Sequence, residues 1–446
     1  MRFVYAEYIV AISLLQFINT QTRLIHMLGV SMFKQSLIGL ALLSCSISAL
    51  ALTPRLIPEE NIGKADNLYG LSAKEQAPTY RNMDFLYPVR VVNVGKKPLP
   101  LSASTDELAV TYTVDGKSIN TDTFMRRNQV AGLLVMRDGK ILVERYAQGN
   151  TPDTRWTSFS IAKSVSSTLI GAAIEDGKIG SLQDEVTRYV PALKGSAYEG
   201  VTVGQVLDMS SGVKWNETYR DPKSDRRQMF NAQLSNKPGS IVQVMAGLKR
   251  AHPAGNAFNY STGESHLQAE ILKGATGKTS SAYLSEKIWG PLGMETPAFW
   301  QLESYDGTEI ASSGFSATLR DYARFGQFVL NDGVINGKRV LPQGWVASIA
   351  DVSPASHLYP GKLYDGEYDL GYHKQWWILP KGDKATPEHG DGAFSAVGIF
   401  GQYLYINPAK KTVAVVWSTW PEPEVERSEK ETFAYIGAAI KASEKQ

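Results

Sequence analysis

Three positions in the chain place a serine three residues before a lysine: Ser31 with Lys34, Ser160 with Lys163, and Ser211 with Lys214. The pairing has a chemical use. A neutral hydroxyl attacks a carbonyl poorly, and a nearby amine that takes its proton activates it. On a helix, residues i and i+3 share a face, so Ser-x-x-Lys sets the amine beside the hydroxyl. A serine that opens the helix also offers its backbone N–H to a developing oxyanion. Burial of the amine would lower its pKa until it accepts a proton near neutrality. The first pair lies in an apolar leader, and the third brackets Gly212, which favours a loop. Only Ser160 opens a convincing helical pattern, which by itself also fits a serine serving as an N-cap.

The pattern around Ser160 is the clearest local signal. Val165, Leu169, Ala172 and Ala173 repeat at helical spacing and Gly177 follows, predicting a helix over 160–176. Upstream, apolar runs at 132–136 and 141–146 flank Asp138-Gly139, which predicts a hairpin. Residues 52–85 are polar and turn-rich and read as an extended arm, and 87–114 is strand-like with proline breaks. Residues 200–300 read as mainly helical, with helices at 203–209 and 266–275, and an amphipathic helix follows at 317–331. Strands return at 375–379, 397–406 and 412–419, and a helix over 430–443 closes the chain. Strands at both ends with helices between predict an α/β (α+β sandwich) fold. An antiparallel sheet is built from both ends of the chain and flanked by helices, with a helical domain inserted.

Several motifs, in one order, carry a family resemblance. WTSFSIAKSVSSTLIGAAIEDGKI resembles the nucleophile segment of the penicillin-recognising serine hydrolases. It is most similar to their 6-aminohexanoate-dimer hydrolase and family VIII esterase branches. VTVGQVLDMSSGVKW, GFSATLRDYARFGQFVLNDG and FSAVGIFGQYLYINP resemble later segments of the same proteins, so the similarity spans residues 85–440. It implies the beta-lactamase/transpeptidase-like fold and an acyl-enzyme on Ser160, with Lys163 as its partner. The family's second element, Tyr-x-Asn, matches Tyr260-Ser261-Thr262. This implies that Tyr260 is general base for Ser160 and then acid for the leaving group, with Lys163 lowering its pKa. Thr262 stands where asparagine is usual, and a hydroxyl is shorter with a single donor, so contact with a substrate amide would differ.

The third element is Lys-Thr-Gly on the last active-site strand. Counting back from Gly401, its positions fall on Ala393, Phe394 and Ser395, so the motif is absent, as in the dimer-hydrolase and esterase branches. The same alignment implies that the Ala396 N–H is the second oxyanion donor beside that of Ser160; such donors contribute about 3–4 kcal/mol each. Thr262, Ser395, Trp376 and His389, the last in a His-Gly-Asp-Gly turn, are the expected substrate contacts. Trp376 and Trp377 fall on opposite faces of a strand, so one lines the pocket and the other packs in the core. The missing lysine removes the usual anchor for a substrate carboxylate.

The remaining sequence limits the alternatives. The 446 residues are 43% apolar and 20% charged with a net charge of +2, ordinary for a globular protein and without a basic stripe for nucleic acid. The one cysteine, Cys45, excludes an internal disulfide and CxxC sites, and none of the six histidines forms HExxH. No cofactor or metal is implied, and no G-x-S-x-G elbow of the α/β-hydrolase type occurs. Lys34, the apolar stretch 37–43 and Ala49-Leu50-Ala51 read as a signal peptide cut after Ala51, with Met32 as its start and 1–31 as an upstream extension. An uncleaved anchor, or lipid attachment at Cys45, is the alternative. Each reading puts the mature chain outside the cytoplasm, in a periplasm. The expected organisation is therefore 1–51 extension and leader, 52–115 arm and lead-in strands, and 116–446 hydrolase domain. The expected function is hydrolysis of a small-molecule amide or ester. A D-alanyl peptidase, a weak β-lactamase and a non-catalytic penicillin-binding sensor are the rivals.

Overall fold

The computed structural model describes residues 59–353, 370–380, 388–390 and 392–445. The expected leader with Cys45, and Asp391 of the His-Gly-Asp-Gly turn, lie outside them. The larger of the two main sheets joins the two ends of the chain, as expected. Its strands are β2 (Ser102–Ala103), β3 (Val130–Arg137), β4 (Lys140–Tyr146), β8 (Gly371–His373), β9 (Trp376–Ile378), β10 (Phe394–Gly398), β11 (Gln402–Asn407) and β12 (Thr412–Ser418). They lie in the order β8-β9-β10-β11-β12-β3-β4-β2. The late strand β12 pairs antiparallel with the early strand β3, from Thr412 opposite Arg137 to Ser418 opposite Val130. A smaller sheet, in the order β1-β6-β7-β5, holds β1 (Val89–Val92), β5 (Trp156–Thr157), β6 (Ala298–Gln301) and β7 (Phe315–Ala317).

The central strands β3 and β12 are rich in Val and Leu and are almost wholly buried, because both faces of the sheet are covered. Alternation along the strands divides the interior in two. Leu134, Met136, Val413, Val415 and Trp417 face one core, shared with helices α2 (Ile161–Glu175) and α6 (Leu319–Leu330). Leu133, Val135, Ala414 and Val416 face the other, closed by Phe433, Ile436 and Ile440 of helix α7 (Glu426–Ser443). The expected single strand over 397–406 is two strands. Phe400 and Gly401 adopt left-handed φ values of 62° and 85°, which turn the chain between β10 and β11.

Helix α2 is buried on nearly every side, as befits a central helix. Its hydroxyls need partners there. Ser164 and Ser167 donate to the carbonyls of Gln375 and Lys374, both at 2.6 Å, and Ser166 donates to that of Ala311 at 3.0 Å. Loops from distant parts of the chain are therefore fastened to the helix that carries Ser160 and Lys163.

The expected extended arm over 52–85 is not extended where it is described. Ser72 and Glu75 form a capping box that opens helix α1 (Ala73–Tyr80). The helix buries Ala77 and Tyr80 but has only a short apolar face and an internal Pro78, which hid it in the sequence. The Tyr80 ring stands edge-on to Trp156 at 5.5 Å and to Phe159 at 5.0 Å. Replacing Tyr80 by alanine empties a closed aromatic site, and a loss of about 3–5 kcal/mol is expected in urea unfolding. A change within about 0.5 kcal/mol, typical of surface positions, would mean that this segment is only loosely attached.

Candidate active site

Ser160 stands at the first turn of α2 with helical backbone angles, φ −70° and ψ −5°, and its side chain makes no capping bond. The N-cap reading therefore does not describe its hydroxyl. Phe159, just before it, holds a left-handed φ of 45°, a strained conformation for a non-glycine residue. The strain is held in place by packing: the Phe159 ring lies among Tyr80 and Phe400.

Lys163 follows one turn later on the same face. Its Nζ is 2.9 Å from Ser160 Oγ, 2.9 Å from the Ser312 carbonyl and 3.2 Å from Thr262 Oγ1. The side chain is 1% exposed. Burial lowers its pKa to about 7, opposed by the negative charge of Glu217 and reinforced by Arg226. Tyr260 precedes helix α5 (Thr262–Thr276), and its hydroxyl is hydrogen-bonded to Ser160. Lys163 Nζ sits 5.1 Å from the centroid of the Tyr260 ring. That ring stacks on Trp377 at 5.6 Å and meets Tyr372 edge-on at 6.1 Å. Burial pushes the Tyr260 phenol upward, Glu217 adds to the rise, and the bond to Ser160 opposes it. The rise of the Tyr260 phenol runs opposite to the lowering that the resemblance implied, whereas burial brings Lys163 down to about 7.

These residues open onto a cavity of about 670 Å³ lined by Ser160, Tyr260, Glu217, Trp377, Tyr403, Trp420 and the segment 397–399. Ser160, Lys163 and Tyr260 are thus brought together. The third Ser-x-x-Lys pair is not joined: Ser211 donates its hydroxyl to buried Glu264, and Lys214 is exposed.

The other expected contacts sit elsewhere. Trp376 is fully buried, edge-on to Phe394 at 5.2 Å; Trp377, on the opposite face of β9, is the cavity residue. Ser395 is buried, its hydroxyl on the carbonyls of Ala396 and Leu404. His389 Nδ1 meets the Tyr405 hydroxyl at 2.9 Å in the core under α7, and burial lowers its pKa to about 4. Thr262 is buried between Lys163 and Glu217 and does not line the cavity.

Ala396 is also misaligned as an oxyanion donor. The Leu379 N–H donates to the Ala393 carbonyl at 3.0 Å, so the backbone groups of 393, 395 and 397 face β9. Those of 394, 396 and 398 face β11, where Ala396 lies opposite Leu404. The residue that meets the nucleophile is Gly398. A Cβ there would lie 2.4 Å from the Ser158 carbonyl oxygen and 3.1 Å from the Ser160 nitrogen. A residue that must approach the nucleophile this closely has to be glycine. The motif glycine is therefore Gly398, three positions later than the count from Gly401 placed it. Ala396 and Val397 then take the lysine and threonine places, and Ile399, the residue after the motif glycine, lines the cavity. The close approach of Gly398 was the signal available in sequence: a glycine inside a strand marks close backbone contact. Glu217 belongs to no motif and had no signal. Among the described residues, no cluster of His, Cys, Asp and Glu could cradle a metal ion. Gly398→Ala is expected to force β10 away from Ser160 and slow covalent labelling of Ser160 by about 10²-fold without unfolding the chain. An unchanged labelling rate would show that β10 does not shape the reacting centre.

The chain resembles known proteins over most of its length. Residues 120–439 match the family model described as Beta-lactamase. The 6-aminohexanoate-dimer hydrolase of Paenarthrobacter ureafaciens is 33% identical over 296 residues, covering 65% of this chain and 73% of that protein. A structure described as "Putative 6-aminohexanoate-dimer hydrolase from Bacillus anthracis" superposes with a TM-score of 0.74 at 26% identity, covering 87% of this chain and 99% of the other. A family VIII carboxylesterase shares the fold, with a TM-score of 0.54 at 15% identity over 72% of this chain and 97% of that one. The chain, with its paired Ser160 and Lys163, belongs to the beta-lactamase family.

Proposed function

We propose that the chain is a serine hydrolase that cleaves an amide or ester bond of a small molecule through an acyl-enzyme on Ser160. One observation carries the reading: a buried amine with a pKa near 7 lies 2.9 Å from the Ser160 hydroxyl. As Ser160 Oγ bonds to the substrate carbonyl carbon, its proton passes to Lys163 Nζ. The oxyanion is held by the backbone N–H groups of Ser160 and Ile399, donors that contribute about 3–4 kcal/mol each. The C–N or C–O bond then breaks, and the leaving atom takes the Lys163 proton, directly or through the Tyr260 hydroxyl. Water adds to the acyl carbon, again giving a proton to Lys163. The Ser160 ester bond breaks and Oγ regains its hydrogen.

The cavity offers an acyl group apolar and aromatic walls, with Glu217, Arg220, Glu422 and Glu424 as the charged residues of its lining. Ala396 stands in the lysine place, so the usual carboxylate anchor is missing, and Val397, Ile399, Tyr260, Trp377, Tyr403 and Trp420 supply apolar and aromatic surface. This supports a linear amide or an ester, in keeping with the activity named for the Paenarthrobacter relative, over a lactam or D-peptide. A leader ending at Ala51 would put the activity outside the cytoplasm.

Intact-mass spectrometry of residues 52–446 treated with a fluorophosphonate is expected to show one adduct, absent in Ser160→Ala. An adduct that survives in the mutant would mean that another serine reacts. The labelling rate is expected to fall on the acid side of a midpoint at about pH 7. Below that midpoint Lys163 is protonated and cannot accept the serine proton. A rate that stays level down to pH 5 would remove Lys163 as the base.

A further inference from the structure

Glu217 lies in the loop between helices α3 (Val203–Leu207) and α4 (Asp225–Leu234), outside every motif, yet it closes a hydrogen-bond chain that begins at the nucleophile. Its Oε2 accepts from Trp215 Nε1 at 2.5 Å and from the Thr262 N–H at 2.9 Å, and its Oε1 accepts from the Thr262 hydroxyl. Thr262 Oγ1 in turn accepts from Lys163 Nζ. The directions in this chain are forced. An indole N–H and a backbone N–H can only donate. Thr262 has one proton, and it goes to Glu217, so towards Lys163 its oxygen can only accept. The Ser312 carbonyl, the second neighbour of Nζ, can only accept as well. A neutral lysine amine has two hydrogens and one lone pair. The two hydrogens are taken by Thr262 and Ser312, and the lone pair is left facing Ser160 Oγ.

Resting on the hydrolase reading above, we propose that Glu217 is a positioning residue: by taking the Thr262 proton it makes Thr262 an acceptor and so aims the Lys163 lone pair at Ser160. This also accounts for a threonine where the family pattern has asparagine. Thr262 relays direction from Glu217 and does not touch substrate. A Glu217→Gln variant reverses the relay. To satisfy Trp215 and the Thr262 N–H, the amide must turn its oxygen to them and its NH2 to Thr262 Oγ1. The Thr262 hydrogen then points at Lys163 and competes with Ser160 for its lone pair.

Charge gives a second readout. Arg226 from α4 also acts on Lys163, while Tyr69, Tyr219, Tyr260, Tyr372 and Glu424 are the other titratable groups that feel Glu217. Removing the carboxylate charge leaves Arg226 unopposed, so Lys163 loses its proton at lower pH.

The test is the pH dependence of Ser160 labelling by the fluorophosphonate in wild type, Glu217→Gln, Thr262→Ser and Thr262→Val. In Glu217→Gln the plateau rate is expected to fall by about 10²-fold, while the acid-side midpoint moves down by about one unit. Thr262→Ser keeps the relay and is expected to stay close to wild type; Thr262→Val breaks it and is expected to lose rate. A Glu217→Gln plateau that falls with an unmoved midpoint would assign Glu217 a packing role only and overturn the proposal. If Glu217→Gln fails to fold, the threonine pair decides: equal rates for the serine and valine variants overturn it. Wild type unlabelled at Ser160 would instead remove the hydrolase reading on which the proposal stands.

Discussion

An amine kept out of water beside a hydroxyl is the arrangement that the rest of the molecule serves. Lys163 can work as a base near neutrality only while it is dry, and keeping it dry costs desolvation energy that the surrounding fold must offset. The partners of Nζ come from three places: Ser160 on its own helix, Tyr260 and Thr262 at the head of α5, and the Ser312 carbonyl from the segment before β7. The three places are far apart in sequence. The site is therefore a product of tertiary packing, and the buried central helix α2 is the element on which that packing converges.

Parts of this arrangement were legible in the sequence and parts were not, for physical reasons. The helix after Ser160, the 130–146 hairpin and the return of strands at the end of the chain rest on periodicity, a local property that tertiary packing rarely overrides when it is this strong. The beta-lactamase-type fold followed from motif order. Helix α1 did not show itself, because a two-turn helix with a proline and a narrow apolar face has no period to read. The positions along β10 were misjudged by three residues for a different reason. The count started from Gly401, a turn glycine with φ 85°, whereas the glycine that governs the site is Gly398, whose φ is ordinary and whose role comes from its neighbour, Ser160. Of the paired tryptophans, alternation showed that one must face inward but carried no sign of which.

Thr262 shows how a departure from a family pattern reads differently once its surroundings are known. As a lone substitution it suggested a changed substrate contact. In place, it is a buried link between Lys163 and Glu217, and the acidic partner arrives from a loop some forty-five positions earlier in the chain. Spacing rules describe residues on one element. They say nothing about a loop carboxylate whose function depends on where the chain returns in space.

The sheet order has a kinetic consequence. Strand β12 lies between β11 and β3, so the wall that carries Gly398 and Ile399 reaches the first half of the sheet only through residues 412–418. Pairings between strands separated by most of the chain must form before Gly398 and Ile399 stand opposite Ser160, and closing such long loops slows folding. The contact between Ser160 and Lys163 is local to one helix, while the wall opposite them depends on pairings that close late in folding.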